Sequence, residues 1–187
     1  MSERVSAFTK KILWAFGIIF VIRCAISFTE IRDSFSVSLV FSLIGEAITI
    51  TTVIAVIYER FLWAFDKTSK VPVVKGKYQG SIVSSWDGQK REATLEIKQT
   101  LLKISITMRT SESSSGSVSA SIDEVLGEKQ LTYCYLNKPM ASVRDRSEIH
   151  YGTAMLNCDT PGKLEGSYFT DRKTTGDLFF EKKGKSK

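Results

Sequence analysis

The sequence predicts a membrane-anchored all-β protein: an N-terminal two-helix transmembrane hairpin followed by an eight-stranded antiparallel up-and-down β-barrel. Three observations point there. Two apolar stretches near the start of the chain each approach the ~20 residues that a helix needs to cross a hydrocarbon core. Charge is segregated: residues 1–66 hold six Lys/Arg and six Asp/Glu, so the whole formal charge of +6 lies beyond them. And beyond Lys75 the apolar period falls to two, with turn residues between the runs.

The first apolar stretch, between Lys11 and Glu30, contains one charge, Arg23; the second, between Asp33 and Glu59, also contains one, Glu46. Neither carries a polar stripe at helical spacing, and a helix apolar all round belongs in lipid or in a large core. The rest of the 187 residues is too small to enclose two of them. We place spans at about 9–28 and 37–62 within a hairpin of residues 1–66. A cleavable signal peptide fits less well, because Arg23 interrupts the first run and a second run follows directly.

The link from Thr29 to Ser34 is short and carries only Arg32, whereas Arg4, Lys10 and Lys11 precede the first span and Lys67, Lys70, Lys75 and Lys77 follow the second. The positive-inside rule then puts both termini in the cytosol. Residues 67–75 read as a basic linker. Arg23 lies near the outer end of its span, where its long stem reaches headgroups. Glu46 is deeper, offset from Arg23 by about 9 Å at 1.5 Å per residue, so no direct pair is expected within one hairpin. Ser38, Ser42, Gly45, Thr49 and Thr52 recur every three or four residues beside it. Small residues in such a stripe let helices approach closely, which makes Gly45 and Glu46 candidates for self-association in the bilayer.

Residues 76–187 carry the barrel. Ile104, Ile106 and Met108 alternate with Lys103, Ser105, Thr107 and Arg109, and Leu131, Tyr133 and Tyr135 alternate with Thr132 and Cys134, as half-buried strands do. Turn signals at Trp86-Asp87-Gly88, Ser115-Gly116, Gly127, Lys138-Pro139, Pro161-Gly162 and Thr175-Gly176 bound strands near 77–86, 91–99, 102–110, 117–124, 129–136, 148–157, 163–170 and 176–182. Ser111–Ser117 reads as a flexible hairpin tip. Eight strands close around an interior that holds side chains or one small ligand. The charge on these strands and the helices before them exclude an outer-membrane barrel.

Catalytic signatures are absent. There is no phosphate-binding glycine loop and no nucleophile elbow. One histidine and three unclustered cysteines offer no metal site, no disulfide framework and no cofactor site. The residues present suit binding. Tyr78, Trp86, Tyr133, Tyr135, Tyr151 and Tyr168 can stack on bases or hydrogen-bond; Arg91, Arg109 and Arg172 can pair with phosphates. Gly166, Tyr168, Thr170 and Arg172 share a strand face, and Gly76-x-Tyr78 repeats the Gly-x-Tyr spacing on the first strand, so a closed barrel can make the two motifs neighbours.

This order of parts — two transmembrane helices, a basic linker, Gly76-x-Tyr78-x-Gly80, Tyr133-x-Tyr135 and Gly166-x-Tyr168-x-Thr170-x-Arg172 — resembles the two-transmembrane β-strand-rich effectors of bacterial CBASS antiphage defence. Those proteins pair the hairpin with a minimal β-barrel and are STING-like in role but not in fold. The resemblance implies a non-enzymatic effector of the bacterial inner membrane. Its cytosolic barrel would bind a cyclic dinucleotide, and no nucleic-acid polymer. The protein would then self-associate and disrupt the membrane, killing the infected cell by abortive infection. The ligand-binding residues it implies are Tyr78, Tyr133, Tyr135, Thr170 and Arg172, with Trp86 and Arg91 behind them. The competing expectation is a membrane-tethered, lipocalin-like small-ligand carrier, or an adaptor.

Overall fold

The computed structural model describes residues 3–69 and 71–184. Lys70 of the basic linker, residues 1–2 of the hairpin and residues 185–187 of the barrel segment lie outside the described residues. The chain divides into two compact units, residues 1–69 with 100–102, and residues 70–99 with 103–187.

In the first unit, α1 (Glu3–Ile26) and α3 (Val37–Arg60) are both long and apolar enough to cross a membrane. The link between them is longer than expected and contains a short helix, α2 (Phe28–Asp33). Ser36 caps α3, its hydroxyl accepting from the Leu39 N–H at 3.2 Å. The buried seam of α3 is Leu43, Ala47 and Thr51, one face at i, i+4, i+8. The Thr49 and Thr52 hydroxyls donate to the Gly45 and Ile48 carbonyls, both at 2.8 Å, so their polar atoms are satisfied within the helix.

Arg23 and Glu46 do pair: Arg23 Nε donates to Glu46 Oε2 at 2.7 Å. The expected offset of about 9 Å counts residues along the axis at about 1.5 Å each and takes no account of side-chain direction. Cβ atoms tilt toward the helix N-terminus. In an antiparallel hairpin the two side chains therefore lean toward each other. At the far end, Lys11 and Tyr58 both bond Asp66, whose carboxyl is held well below the usual range by the Lys11 ammonium first and by Tyr58 and Thr68 after it.

The second unit is a closed barrel in which eight strands pair in chain order and the last returns to the first. The strands are β1 (Gly76–Ser84), β2 (Lys90–Gln99), β3 (Ile104–Thr110), β4 (Ser113–Val125), β5 (Glu128–Pro139), β6 (His150–Asn157), β7 (Lys163–Thr170) and β8 (Thr175–Lys182). All pairings are antiparallel, including β1 with β8 from Tyr78↔Lys182 to Ser84↔Gly176. The alternation read in the sequence sets the two faces. Leu95, Ile97, Ile106, Met108, Leu131 and Leu156 fill the interior, each less than a tenth exposed, at about 1.5–3 kcal/mol per side chain.

Two local expectations change. Most of the serine run is strand rather than hairpin tip, because β4 begins at Ser113. The turn before it closes on Thr110, whose hydroxyl accepts from the N–H groups of Glu112 at 3.2 Å and Ser113 at 3.0 Å. The two Gly-x-Tyr motifs are not neighbours either. Tyr78 pairs with Leu95 and Lys182, whereas Tyr168 sits on β7 against Ala154 and Gly176.

Candidate functional site

One end of the barrel opens into a cavity. Its wall is made by the C-terminal ends of β1, β3, β5 and β7, the N-terminal ends of β2, β4 and β6, and the segment 140–149 between β5 and β6. An antiparallel barrel brings alternate strand ends to one rim, so residues far apart in sequence meet there.

Of the sequence candidates, Trp86, Arg91, Tyr133, Tyr135, Thr170 and Arg172 all line this cavity. Tyr78 does not. It lies near the N-terminal end of the nine-residue β1, with six residues of that strand between it and the rim. It is 1% exposed and closes the opposite end of the barrel, its hydroxyl donating to the Val74 carbonyl at 2.9 Å.

Two cross-strand glycines seat the cavity tyrosines. Tyr135 faces Gly152 on β6, and Tyr168 faces Gly176 on β8. A Cβ on Gly152 would meet Tyr135 Cζ at 2.5 Å, and one on Gly176 would meet Tyr168 Cε1 at 2.6 Å. Packing an aromatic ring over a bare glycine is a recurrent way of holding a barrel strand. Tyr133 and Tyr135 sit 5.8 Å apart between ring centroids. Burial pushes both phenols above their ordinary value, so they are neutral hydrogen-bonding groups at physiological pH.

The rim is cationic, and each guanidinium is already held. Arg91 donates to Asp87 at 3.0 and 2.5 Å. Arg146 donates to Glu112 at 2.5 Å. Arg172 donates to the Ser147 hydroxyl at 3.1 Å and to the Arg146 carbonyl at 3.4 Å. The Met140 N–H reaches the Glu112 carbonyl at 2.8 Å. Segment 140–149 is thereby tied to the rim from both sides.

Sequence reasoning missed Asn137, Arg146, Glu112 and His150, all of which line the cavity. Asn137 had a signal: it extends Tyr133-x-Tyr135 by one more inward position. Arg146 and Glu112 had none, since both lie between strands. Among the described residues no group of three His, Cys, Asp or Glu could hold a metal ion.

The barrel segment, residues 69–182, matches a family model described as "Cap15, cyclic dinucleotide receptor domain". The chain belongs to the Cap15 family. The matched Cap15 segment spans all eight strands and every cavity residue named above. The whole chain is also similar to the CD-NTase-associated protein 15 of Staphylococcus schleiferi, at 30% identity over 186 residues, 97% of this chain and 99% of that protein. That similarity takes in the helical hairpin that the Cap15 family model leaves out.

In the hairpin, Arg23, Ser42, Gly45, Glu46, Thr49 and Ile50 line a shallow concavity. Nothing lies within 4 Å of where a Gly45 Cβ would be. The small-residue face of α3 therefore points away from the Leu43–Ala47–Thr51 seam.

Proposed function

We propose that this Cap15 chain is the membrane effector of a CBASS antiphage system, and that its barrel senses a cyclic dinucleotide at the open rim. The observation that carries this reading is the cavity itself. Aromatic faces suited to bases lie inside, and three guanidinium groups suited to phosphates ring the mouth. A cyclic dinucleotide has two bases and two phosphates to match. The role is binding rather than catalysis. An apolar ligand of the lipocalin kind fits less well, since it would leave buried hydroxyls without partners.

On this reading the N-terminus and the barrel face the cytosol of the bacterial inner membrane. Ligand favours self-association by binding the assembled state more tightly than the free one. The Gly45–Glu46 face of α3 then brings hairpins together, and the assembled helices breach the membrane and end the infection with the cell.

Two experiments test the two halves. Detergent-solubilised full-length protein should melt at higher temperature with at least one cyclic dinucleotide; no shift with any of a broad panel overturns the sensor reading. Co-expression with a constitutively active dinucleotide cyclase should collapse membrane integrity, and Gly45→Leu with Glu46→Ala should prevent it. Unchanged leakage in that variant overturns the assembly role.

A further inference from the structure

A guanidinium that meets phosphate carries no information about the base. Deeper in, the inward face of β5 presents Tyr133, Tyr135 and Asn137 at every second residue, at 2%, 4% and 8% exposure in order toward the mouth. The Tyr133 hydroxyl is buried with no hydrogen-bond partner among the described residues. Ser115 pairs across the ladder from Asn137, and its hydroxyl is buried and unpartnered in the same way. The Asn137 carboxamide lines the cavity and makes no side-chain hydrogen bond among the described residues.

Each buried polar group left unpaired costs about 1–3 kcal/mol. Of the two hydroxyls, only that of Tyr133 belongs to the cavity lining; beside the uncommitted Asn137 carboxamide it marks a place where the partner comes with the ligand. Three other polar side chains of the lining are already committed. Thr110 pairs with Ser113 at 3.1 Å, Thr170 with Thr174 at 2.7 Å, and His150 Nδ1 with the Glu148 carbonyl at 2.8 Å.

A carboxamide presents a donor and an acceptor side by side. Adenine offers the complementary pair, its N6 amino group and N7, whereas guanine offers two acceptors on the same edge and suits arginine. The arginines here stay at the rim, held by Asp87, Glu112 and segment 140–149. Resting on the dinucleotide reading above, we infer that Asn137 is the base-reading residue of the cavity, supported by the Tyr133 hydroxyl, and that it selects a ligand carrying adenine.

Isothermal titration of the detergent-solubilised full chain with cyclic di-AMP, cyclic di-GMP and cyclic di-UMP tests this. The expected preference for cyclic di-AMP over cyclic di-GMP is roughly tenfold or more, the worth of one two-pronged contact. Asn137→Ala should collapse that ratio by weakening cyclic di-AMP alone, and Asn137→Asp, which loses the donor, should do the same. Tyr133→Phe adds a readout that a merely structural tyrosine would not give. It should raise the melting temperature of the free chain, by removing an unpaired hydroxyl, while weakening cyclic di-AMP. A wild-type preference for cyclic di-GMP, or the same ratio in wild type and a folded Asn137→Ala, overturns the inference and leaves the dinucleotide reading standing. Failure of wild type to bind any dinucleotide overturns both. If Asn137→Ala does not fold, the wild-type ratio and the opposed effects of Tyr133→Phe still decide.

Discussion

The ring of Tyr135 lies against the bare Cα of Gly152, its partner on β6, so closely that a methyl group there would sit 2.5 Å from both Cζ and Oη. The Phe169 carbonyl, 2.9 Å from the same point, blocks escape on the other side. Gly152→Ala should therefore push Tyr135 off the cavity wall. The expected cost is about 1–3 kcal/mol of stability, the usual penalty of overpacking, together with weaker ligand binding. Differential scanning fluorimetry and calorimetry check both. Adding Tyr135→Ala should recover part of the stability and none of the binding.

Arg172 joins the turn between β7 and β8 to segment 140–149 through Ser147 and the Arg146 carbonyl. Arg172→Ala should lower dinucleotide affinity about tenfold, or ~1.4 kcal/mol, and speed amide exchange across 140–149. Arg172→Lys should not rescue binding, because an ammonium lacks the fork that engages two acceptors at once. Raising salt should weaken wild type and Arg172→Lys more than Arg172→Ala, which has lost the charge.

The Arg91 guanidinium lowers the Asp87 carboxyl from 3.8 to about 2, with the Gln89 N–H helping. A carboxyl depressed in the folded chain stabilises it above its unfolded value and loses that contribution as pH falls through the folded one. Asp87→Asn should therefore lower the melting temperature at pH 6, with the difference from wild type shrinking below about pH 4 and gone once the pH is well below about 2. At neutral pH the same variant should bind ligand more tightly, since it no longer competes for Arg91.

Leu126 occupies the β4–β5 turn at φ +54° and is fully exposed, followed by Gly127 at φ +81°. Two consecutive residues in left-handed conformation make the hairpin turn that favours Asn-Gly. A leucine there costs about 1–2 kcal/mol. Leu126→Asn should raise stability by roughly 1 kcal/mol in chemical denaturation, with ligand affinity unchanged, because the turn lies at the far end from the rim.

The sequence was most legible where burial enforces a period. Leu131, Tyr133 and Tyr135 had to alternate to keep one face inside, and that alternation carried through to the barrel's register. It was least legible where side-chain direction or loop closure decides. The Arg23–Glu46 pair depends on both side chains leaning toward their own helix N-termini, which counting residues along an axis does not capture. Tyr78 shares its spacing with Tyr168 but sits at the other end of the barrel; a short motif records which face a residue takes, not how far along the strand it lies. Arg146 lies in a segment with no period at all, so nothing local announced it.

None of the three mouth arginines waits empty. Asp87, Glu112 and the 140–149 backbone hold them, and an arriving phosphate has to outcompete each one. Such internal competition scales apparent affinity down to the fraction of time the groups are free. On the proposed reading, the mouth then needs a higher concentration of ligand than unpaired arginines would require. For a receptor proposed to be wired to a lethal output, that loss of sensitivity guards against false alarms, and the acidic residues beside the arginines are where it would be tuned.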